Sequence, residues 1–366
     1  MTLFTQDNAL DFKGSEYAKL FAGSGASAFQ SPLWLDSFYR HLAPYRGADK
    51  LVISLRDQVG ELVGLVPMIR RRKSGLTLIE ATDLGVSDYS APVLSDAARE
   101  MLRGDAQVQA SFVKAIGAHD ILRIQPVLPD HIDDWQSLLN SGPEAAGFSA
   151  HAVGLYPPFD RWRGNNLDRK LSGMVARKGK RWKKQHKVEL EHLQDPSSIK
   201  LAIKNLARLR QDRFEGDPIQ EPAVADFYAS VASSYHCGGV SIAAVDASAS
   251  ANTTVAAAET WVLSSDGSVA GILFGLTHLG AFHYLLIGAD YDTHGRHSPG
   301  LQMYDWIIED WMARGGTSFD FTIGDEPFKQ QFGTTARPMS RFLRAGSLKG
   351  RMAMALLGNK LRRANG

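Results

Sequence analysis

The residues best suited to chemistry lie in the segment Phe282–Phe332, which reads as strand, loop, helix and strand. Ser298 and Pro299 are typical of a helix start, and the apolar spacing after them predicts a helix that ends at Gly315–Gly316. Backbone N–H groups at a helix start carry partial positive charge and favour an anion such as phosphate. Arg296, beside this start, can pair with phosphate through two nitrogens. The sequence therefore predicts an anion site, with a plain helix start as the alternative.

A strand on either side must position that helix start. Strand, helix and strand within about 40 residues predict a right-handed crossover between two parallel strands. Several short motifs follow one another along this crossover and the loop after it. They are Tyr291–Asp292 after the first strand, Ser298–Gly300 at the helix start, Asp320–Phe321 in the second strand, and Gly324, Glu326, Phe328, Lys329 and Phe332 beyond it.

This run of motifs resembles the CelD-like branch of the GNAT acyl-CoA N-acyltransferase superfamily, which is related to the Fem peptidyltransferases. The resemblance implies an α/β protein with mixed α+β sheets, built as tandem GNAT-like acyltransferase folds, with acyl-CoA (acetyl-CoA) as co-substrate. It also implies that the pantetheine arm lies between splayed strands at Phe282–Ala289 and Thr317–Ile323. The residues implied to bind the pyrophosphate are Arg296, His297, Ser298, Pro299, Gly300 and Leu301.

Acyl transfer from a thioester requires an aligned, deprotonated acceptor and a stabilised oxyanion. Asp325 and Glu326, just after the second strand, are candidate bases, as are His283 and His297. By resemblance to the Fem enzymes, Lys329 is the expected electrophilic residue. The candidates for contacts with substrate are Asp88, Tyr89, Arg177, Arg181 and Phe328.

Positive charge is concentrated in the window Arg161–Lys187, which holds eleven basic residues and one acid. This window carries +10 and the rest of the chain −8. Such a segment predicts an anionic partner, or else a solvated helix face. The helix start departs from the commoner GNAT loop, Gln/Arg-x-x-Gly-x-Gly/Ala, at Pro299 and Leu301. The identity of the donor is therefore left open.

Three functions are compatible with these features. The first is an acyl-CoA-dependent acyltransferase acting on an amine or hydroxyl of a small molecule or saccharide, with polysaccharide or cell-envelope synthesis as the setting that the resemblance implies. The second is a Fem-like transferase that takes aminoacyl groups from tRNA. The third is a non-catalytic module that binds an anionic polymer through the basic segment.

The length of 366 residues predicts two domains, at 1–154 and 155–346, followed by a basic amphipathic tail at 347–366. The tail is a candidate for peripheral membrane contact, or for a helix docked on its own protein. The single cysteine, Cys237, excludes an intrachain disulfide, and neither a secretory pattern nor a membrane-length apolar run is present. We therefore expect a cytoplasmic protein. No metal is expected, because the histidines lack a ligand spacing.

Local patterns predict further elements. The basic segment is expected to be mostly helical, with interruptions at Gly173 and Gly179. Other predicted elements are helices at Pro32–Leu42 and Ala106–Ile116, and strands at Leu51–Arg56, Glu61–Arg70, Leu76–Ala81, Ile121–Gln125 and Val240–Val245.

Overall fold

The computed structural model describes residues 3–234 and 256–364. The strand predicted at Val240–Val245 and the thiol of Cys237 lie outside the described residues. The chain divides into two compact units. The first comprises Met1–Phe148 and Pro338–Gly366, and the second comprises Ser149–Arg337. Both are mixed α/β, which confirms the fold class predicted from the sequence.

The strands of the described residues are β1 (Phe4–Gln6), β2 (Ala48–Arg56), β3 (Leu62–Lys73), β4 (Leu76–Ala81), β5 (Val93–Leu94), β6 (Ile121–Val127), β7 (Glu144–Gly154), β8 (Val188–His192), β9 (Ala257–Ser265), β10 (Ser268–His278), β11 (Ala281–Ala289), β12 (Ser318–Ile323) and β13 (Thr335–Ala345). The α-helices of the same residues are α1 (Ser15–Ser24), α2 (Pro32–Ser37), α3 (Ala43–Tyr45), α4 (Asp96–Gly104), α5 (Ala106–Ile116), α6 (Ile132–Leu139), α7 (Phe159–Asn166), α8 (Arg169–Gln185), α9 (Pro196–Arg210), α10 (Pro222–Ser234), α11 (Tyr291–His294), α12 (Pro299–Ala313), α13 (Pro327–Gln331) and α14 (Leu348–Ala364). Among them, none is both long and apolar enough to cross a membrane.

The sheet of the first unit has the strand order β1-β2-β3-β4-β6-β13, with β5 also paired to β3. The neighbours are antiparallel except β4 and β6, which run parallel. β3 is buried along most of its length because helices cover the sheet, which explains its nearly continuous apolar sequence. Phe112 of α5, Trp135 of α6 and Phe342 of β13 meet in the core of this unit.

The sheet of the second unit has the order β7-β12-β11-β10-β9-β8. Its pairs are antiparallel except β11 with β12, so the parallel crossover predicted through α12 is confirmed. Successive side chains of a strand point to opposite faces. Ile287 of β11 faces the start of α12, whereas Gly288 faces Leu206 and Leu209 on α9. The two helices therefore cover opposite faces of β11.

The basic segment forms α7 and then α8, and α8 runs unbroken through Gly173 and Gly179. The predicted interruption is therefore wrong. A Cβ on Gly179 would lie 2.6 Å from Oε1 of Gln302 in α12, so this glycine permits close approach of the two helices. Leu171, Val175 and Trp182 lie on the same buried face of α8, because they recur at helical spacing.

Candidate functional site

β11 and β12 of the second unit remain paired for only three positions. These are Ala281 with Ser318, Phe282 with Phe319, and His283 with Asp320. Beyond them both strands become irregular: the register of β11 against β10 shifts next to Tyr284, and Thr322 in β12 has a φ of 57°. Thr322 Oγ1 donates a hydrogen bond to the carbonyl of Tyr284 at 3.1 Å. A side chain therefore bridges the two strands where they part.

A second side chain reaches β11 beyond the point of parting. Arg210 Nη1, at the end of α9, donates to the carbonyl of Ile287 at 2.8 Å. Its Nε donates to Asp217 Oδ2 at 2.7 Å, and both side chains are buried. The Asp217 carboxylate thus holds the Arg210 guanidinium against the strand edge.

The start of α12 lies against this parted stretch of β11. A Cβ on Gly300 would lie 2.6 Å from Tyr291 Oη and 3.6 Å from Ile287 Cδ1. Ser298, just before the helix, is left-handed with φ 56° and ψ 59°, and its side chain does not cap the helix as its residue type predicts. The Ser298 hydroxyl instead accepts a hydrogen bond from Lys178 Nζ of α8 at 2.8 Å. The first amides of α12 are therefore not capped by this serine.

A chain of hydrogen bonds fixes Arg296 beside the helix start. Arg296 Nε donates to His297 Nε2 at 2.9 Å, and its Nη2 contacts His186 Nε2 at 3.3 Å. His186 Nδ1 in turn donates to Asp266 Oδ2 at 2.6 Å, and this hydrogen bond lowers the pKa of Asp266. Because His297 Nε2 accepts the hydrogen bond from Arg296 Nε, the ring does not compensate the positive charge of Arg296.

His297 is 1% exposed and stacks on Trp182, with ring centroids 4.9 Å apart and planes at 6°. Burial, followed by the positive charges of Arg296 and Arg181, lowers the pKa of His297 to about 4. The ring is therefore neutral near pH 7. Within the described residues its Nδ1 is buried and has no hydrogen-bond partner. Lys178, Arg181 and Arg296 thus place positive charge beside the start of α12.

His283 and Asp320 form a buried pair at the last matched position before the strands part. His283 Nδ1 donates to Asp320 Oδ2 at 3.1 Å, and Asp320 Oδ1 accepts from the amide of Thr322 at 2.8 Å. A carboxylate that holds one imidazole nitrogen fixes the orientation of the other, which is the arrangement of a general base. The sequence singled out each residue but not their pairing, because they are 37 positions apart.

Lys329 is buried, with 2% of its surface exposed. Its Nζ donates to the carbonyls of Ile323 at 2.7 Å and Gly324 at 3.0 Å, and it pairs with Glu326 Oε2 at 2.9 Å. An ammonium group has three N–H donors, so these acceptors occupy all of them. This geometry gives Lys329 a positioning role at the end of β12, and its electrophilic role stays a prediction.

Asp325 accepts hydrogen bonds from His151 Nε2 at 2.9 Å and from the amide of Ser149 at 3.3 Å. The bond to His151 is the main cause that lowers the pKa of Asp325, which makes this carboxylate a weaker base. His151 was not among the sequence candidates. No local pattern points to it, because 174 residues separate it from Asp325.

The predicted substrate residues fall in different environments. The ring of Phe328 stacks on Tyr304 at 5.7 Å and packs edge-on against Phe321 at 6.0 Å, within the aromatic core of the second unit. Arg177 and Arg181 are exposed one turn apart on α8. Arg181 belongs to the cationic surroundings of His297, so the structure brings it together with the predicted phosphate residues.

Asp88 and Tyr89 belong to the first unit. Tyr89 is 1% exposed and packs edge-on against Phe29 at 5.5 Å, while its carbonyl accepts from Gln30 Nε2 at 3.1 Å. Asp88 is half-buried. The ring of Tyr89 is thus part of the core of that unit, and the role of both residues toward a substrate stays a prediction.

Within residues 3–234 and 256–364, no three His, Cys, Asp or Glu side chains are grouped in a way that would hold a metal ion.

Residues 169–330 match the family model described as "Acetyltransferase (GNAT) domain". The match runs from the start of α8 into α13, so it contains the helix start of α12, the cations around it and the parted strands. It covers less than half of the 366 residues. Comparison with curated protein sequences gave no match.

Solved structures resemble the chain over nearly its whole length. FemX is 13% identical, with a TM-score of 0.62 over 93% of this chain and 97% of that chain. The C-terminal domain of a protein named as a lysylphosphatidylglycerol synthetase from Agrobacterium fabrum is 15% identical, with a TM-score of 0.54 over 95% and 96%. L-PGS from Bacillus licheniformis is 10% identical, with a TM-score of 0.54 over 96% and 97%. The GNAT-like α/β fold is thus confirmed, and residues 169–330 are similar to a GNAT acetyltransferase domain.

Proposed function

We propose that the second unit transfers an acyl group from acyl-CoA to an amine or hydroxyl acceptor. The observation that carries this proposal is the start of α12, where Lys178, Arg181 and Arg296 gather beside a helix terminus that Ser298 does not cap. The pyrophosphate of acyl-CoA is an anion suited to such a place, because helix amides and guanidinium groups both donate to phosphate oxygens.

The parted strands suit the pantetheine arm of the same donor. β11 has no position paired with β12 after His283. We propose that the donor enters between the two strands there, in a gap whose closed end is the His283–Asp320 pair. Thr322 and Arg210 bind the carbonyls of Tyr284 and Ile287 along this part of β11. The amides of pantetheine would bind beside them as a short added strand, which would direct the thioester toward the closed end of the gap.

His283 stands at that closed end and is the proposed general base. With Nδ1 held by Asp320, Nε2 of His283 would take the proton of the acceptor N–H or O–H while the acceptor attacks the thioester carbonyl. A bond forms from the acceptor to the acyl carbon, the carbon–sulfur bond breaks, and the proton leaves with the CoA thiolate. No covalent enzyme intermediate is required.

Two finer parts of the proposal rest on the sequence resemblance alone. They are membership of the CelD-like branch and a saccharide acceptor in polysaccharide or cell-envelope synthesis. A cytoplasmic place of action is a separate proposal that rests on the composition of the sequence. The geometry of the site does not determine these points, because the same geometry would serve any acceptor amine or hydroxyl.

An aminoacyl-tRNA donor is the second candidate, in line with the Fem-like fold. The exposed face of α8 favours it, because a row of cations there can track a nucleic-acid backbone. The exposed basic residues of α8 are Arg169, Lys170, Arg177, Lys180, Arg181, Lys183 and Lys184.

The two donors are separated by calorimetric titration with acetyl-CoA, longer acyl-CoAs and uncharged tRNA. For acyl-CoA we expect micromolar binding that weakens about tenfold in Arg296→Gln and in Lys178→Gln, because each removes one phosphate contact. Lys170→Gln is the matched control, since it removes an exposed charge two turns earlier on α8.

Absence of acyl-CoA binding, combined with tRNA binding that falls steeply with salt, would favour the second candidate. The same salt dependence with equal affinity for unrelated anionic polymers, and with no transfer from either donor, would favour the non-catalytic module.

A further inference from the structure

The C-terminal helix α14 of the first unit carries an apolar stripe that faces outward. Leu348, Met352 and Leu356 are 73%, 61% and 67% exposed. They are four residues apart, so they lie along one side of the helix. An exposed row of three large apolar side chains on one helix indicates a surface that meets something apolar.

The start of α14 is anchored, so the direction of this stripe is fixed. Ser347 Oγ donates to Asp120 Oδ1 at 2.6 Å and accepts from the amide of Gly350 at 3.0 Å. A Cβ on Gly350 would collide with the backbone of Asp120, so a glycine is needed for this contact. Gly350 is buried while the stripe is exposed, which means that the helix presents its apolar side away from the unit.

Positive charges from two separate segments border the stripe. Lys349 and Arg351 flank Leu348 on the helix, and both are exposed. Lys349 Nζ also donates to the carbonyl of Gly75, in the turn between β3 and β4. The exposed residues Arg72 and Lys73 precede that turn, so folding brings the hairpin tip to the start of the helix.

The acidic side chain at this anchor is Asp120. Its carboxylate is held by Ser347 and by the amide of Thr77, and the bond to Ser347 is the main cause that lowers its pKa. From Ala345 to the end the chain has five basic residues and no acidic one. The surroundings of the stripe therefore favour a negatively charged partner.

We infer that this face of the first unit docks on a membrane surface that contains anionic lipids. An amphipathic helix with basic borders lies in the plane of the interface, with its apolar side among the acyl chains and its cations at the headgroups. The stripe and the cations satisfy both requirements, and neither belongs to the site in the second unit. The inference therefore stands independently of the proposed acyl transfer.

The test is flotation of the full-length protein with phosphatidylcholine vesicles and with vesicles of three parts phosphatidylcholine to one part phosphatidylglycerol. We expect binding to the anionic vesicles alone. The triple variant L348Q/M352Q/L356Q should lower the partition coefficient at least about tenfold. Arg72→Gln and Arg351→Gln should each lower it about fivefold at low salt.

A matched control variant is V59Q/L201Q/L279Q, because these three apolar side chains are 84%, 61% and 61% exposed elsewhere. It should bind vesicles as the unchanged protein does. Equal binding to both vesicle types, or unchanged binding of the α14 triple variant, overturns the inference. A dimer in sedimentation velocity that the α14 substitutions dissociate, with no vesicle binding, also overturns it, because the stripe would then face a second copy.

Discussion

Each unit contains one parallel strand pair within the described residues, and in each the pairing lasts for three positions. In the first unit β4 and β6 end their pairing at Glu80 with Arg123, whereas in the second unit β11 and β12 end theirs at His283 with Asp320. The two sheets thus share a parallel pair that parts early, and they differ in the chemistry placed at the point of parting.

In the first unit, ion pairs and the backbone that follows β4 occupy the place where β4 and β6 part. Glu80 is buried and pairs with both Arg71 and Arg123. Beyond the paired positions, the amide of Ser90 donates to the carbonyl of Pro126 at 2.7 Å and its hydroxyl to that of Gln125 at 3.0 Å. The chain after β4 therefore occupies the edge of β6 that the parting leaves.

The starts of α4 in the first unit and α12 in the second also differ, because only one of them is capped by the preceding serine. Ser95 before α4 caps its helix in the usual way, because its side chain accepts from the amide of Ala98 at 3.2 Å. Ser298 before α12 does not, and it binds Lys178 instead. The serine before the helix thus caps it in the first unit and does not cap it in the second.

The largest effect is expected for His283→Gln, which removes the proposed general base at the place where β11 and β12 part. We expect kcat to fall by about two to three orders of magnitude, because loss of a general base removes that much catalysis. Acyl-CoA affinity should be unchanged, since the imidazole lies at the closed end of the gap. Measurement of kcat against pH for His283→Gln and Asp320→Asn tests this role, and unaltered turnover in both would remove the pair from the chemistry.

The counterpart in the first unit is Glu80→Gln, where we expect a loss of stability with little change in the intrinsic transfer rate. Replacing the buried carboxylate leaves Arg71 and Arg123 without the partner that they share, which should cost about 3 kcal/mol. Urea unfolding measures the loss. Glu189→Gln, which breaks an exposed pair with Lys187, is the control and should cost less than about 0.5 kcal/mol.

Asp83 lies three residues after Glu80, and its carboxyl group should make the stability of the protein depend on pH. Burial raises the pKa of Asp83 from 3.8 to about 6. A raised pKa means that the folded state holds the proton more tightly, so stability falls as pH rises from about 4 to about 6. Asp83→Asn should be about 3 kcal/mol more stable than the unchanged protein at pH 7 and nearly equal to it near pH 4. Parallel stability curves for the two proteins would show that solvent reaches this carboxylate.

The smallest expected effect belongs to Lys329→Met. Loss of its bonds to Ile323 and Gly324 should cost about 1–2 kcal/mol, because two carbonyls at the end of β12 lose their donor. Lys329→Arg should restore part of this stability. A fall in kcat beyond about a hundredfold in Lys329→Met, with unfolding unchanged, would instead establish the electrophilic role that the resemblance implies.

Much of the framework could be predicted from the sequence, because it depends on local patterns. Ala106–Ile116 and Leu76–Ala81 have the predicted bounds. The crossover through α12 followed from the spacing of its apolar residues. These features are confirmed because helix and strand periodicity are properties of neighbouring residues.

The site itself was decided by tertiary structure. Ser298 has the residue type of a cap, yet packing against α8 turns its hydroxyl to Lys178, 120 positions away. The pairings of His283 with Asp320 and of Asp325 with His151 depend in the same way on which strands become neighbours. Residue type and spacing determined that a helix start, a cation and an imidazole would be present. Only the packing of the sheet decided which of them face each other, because hydrogen bonds act over about 3 Å in space whatever the separation along the chain.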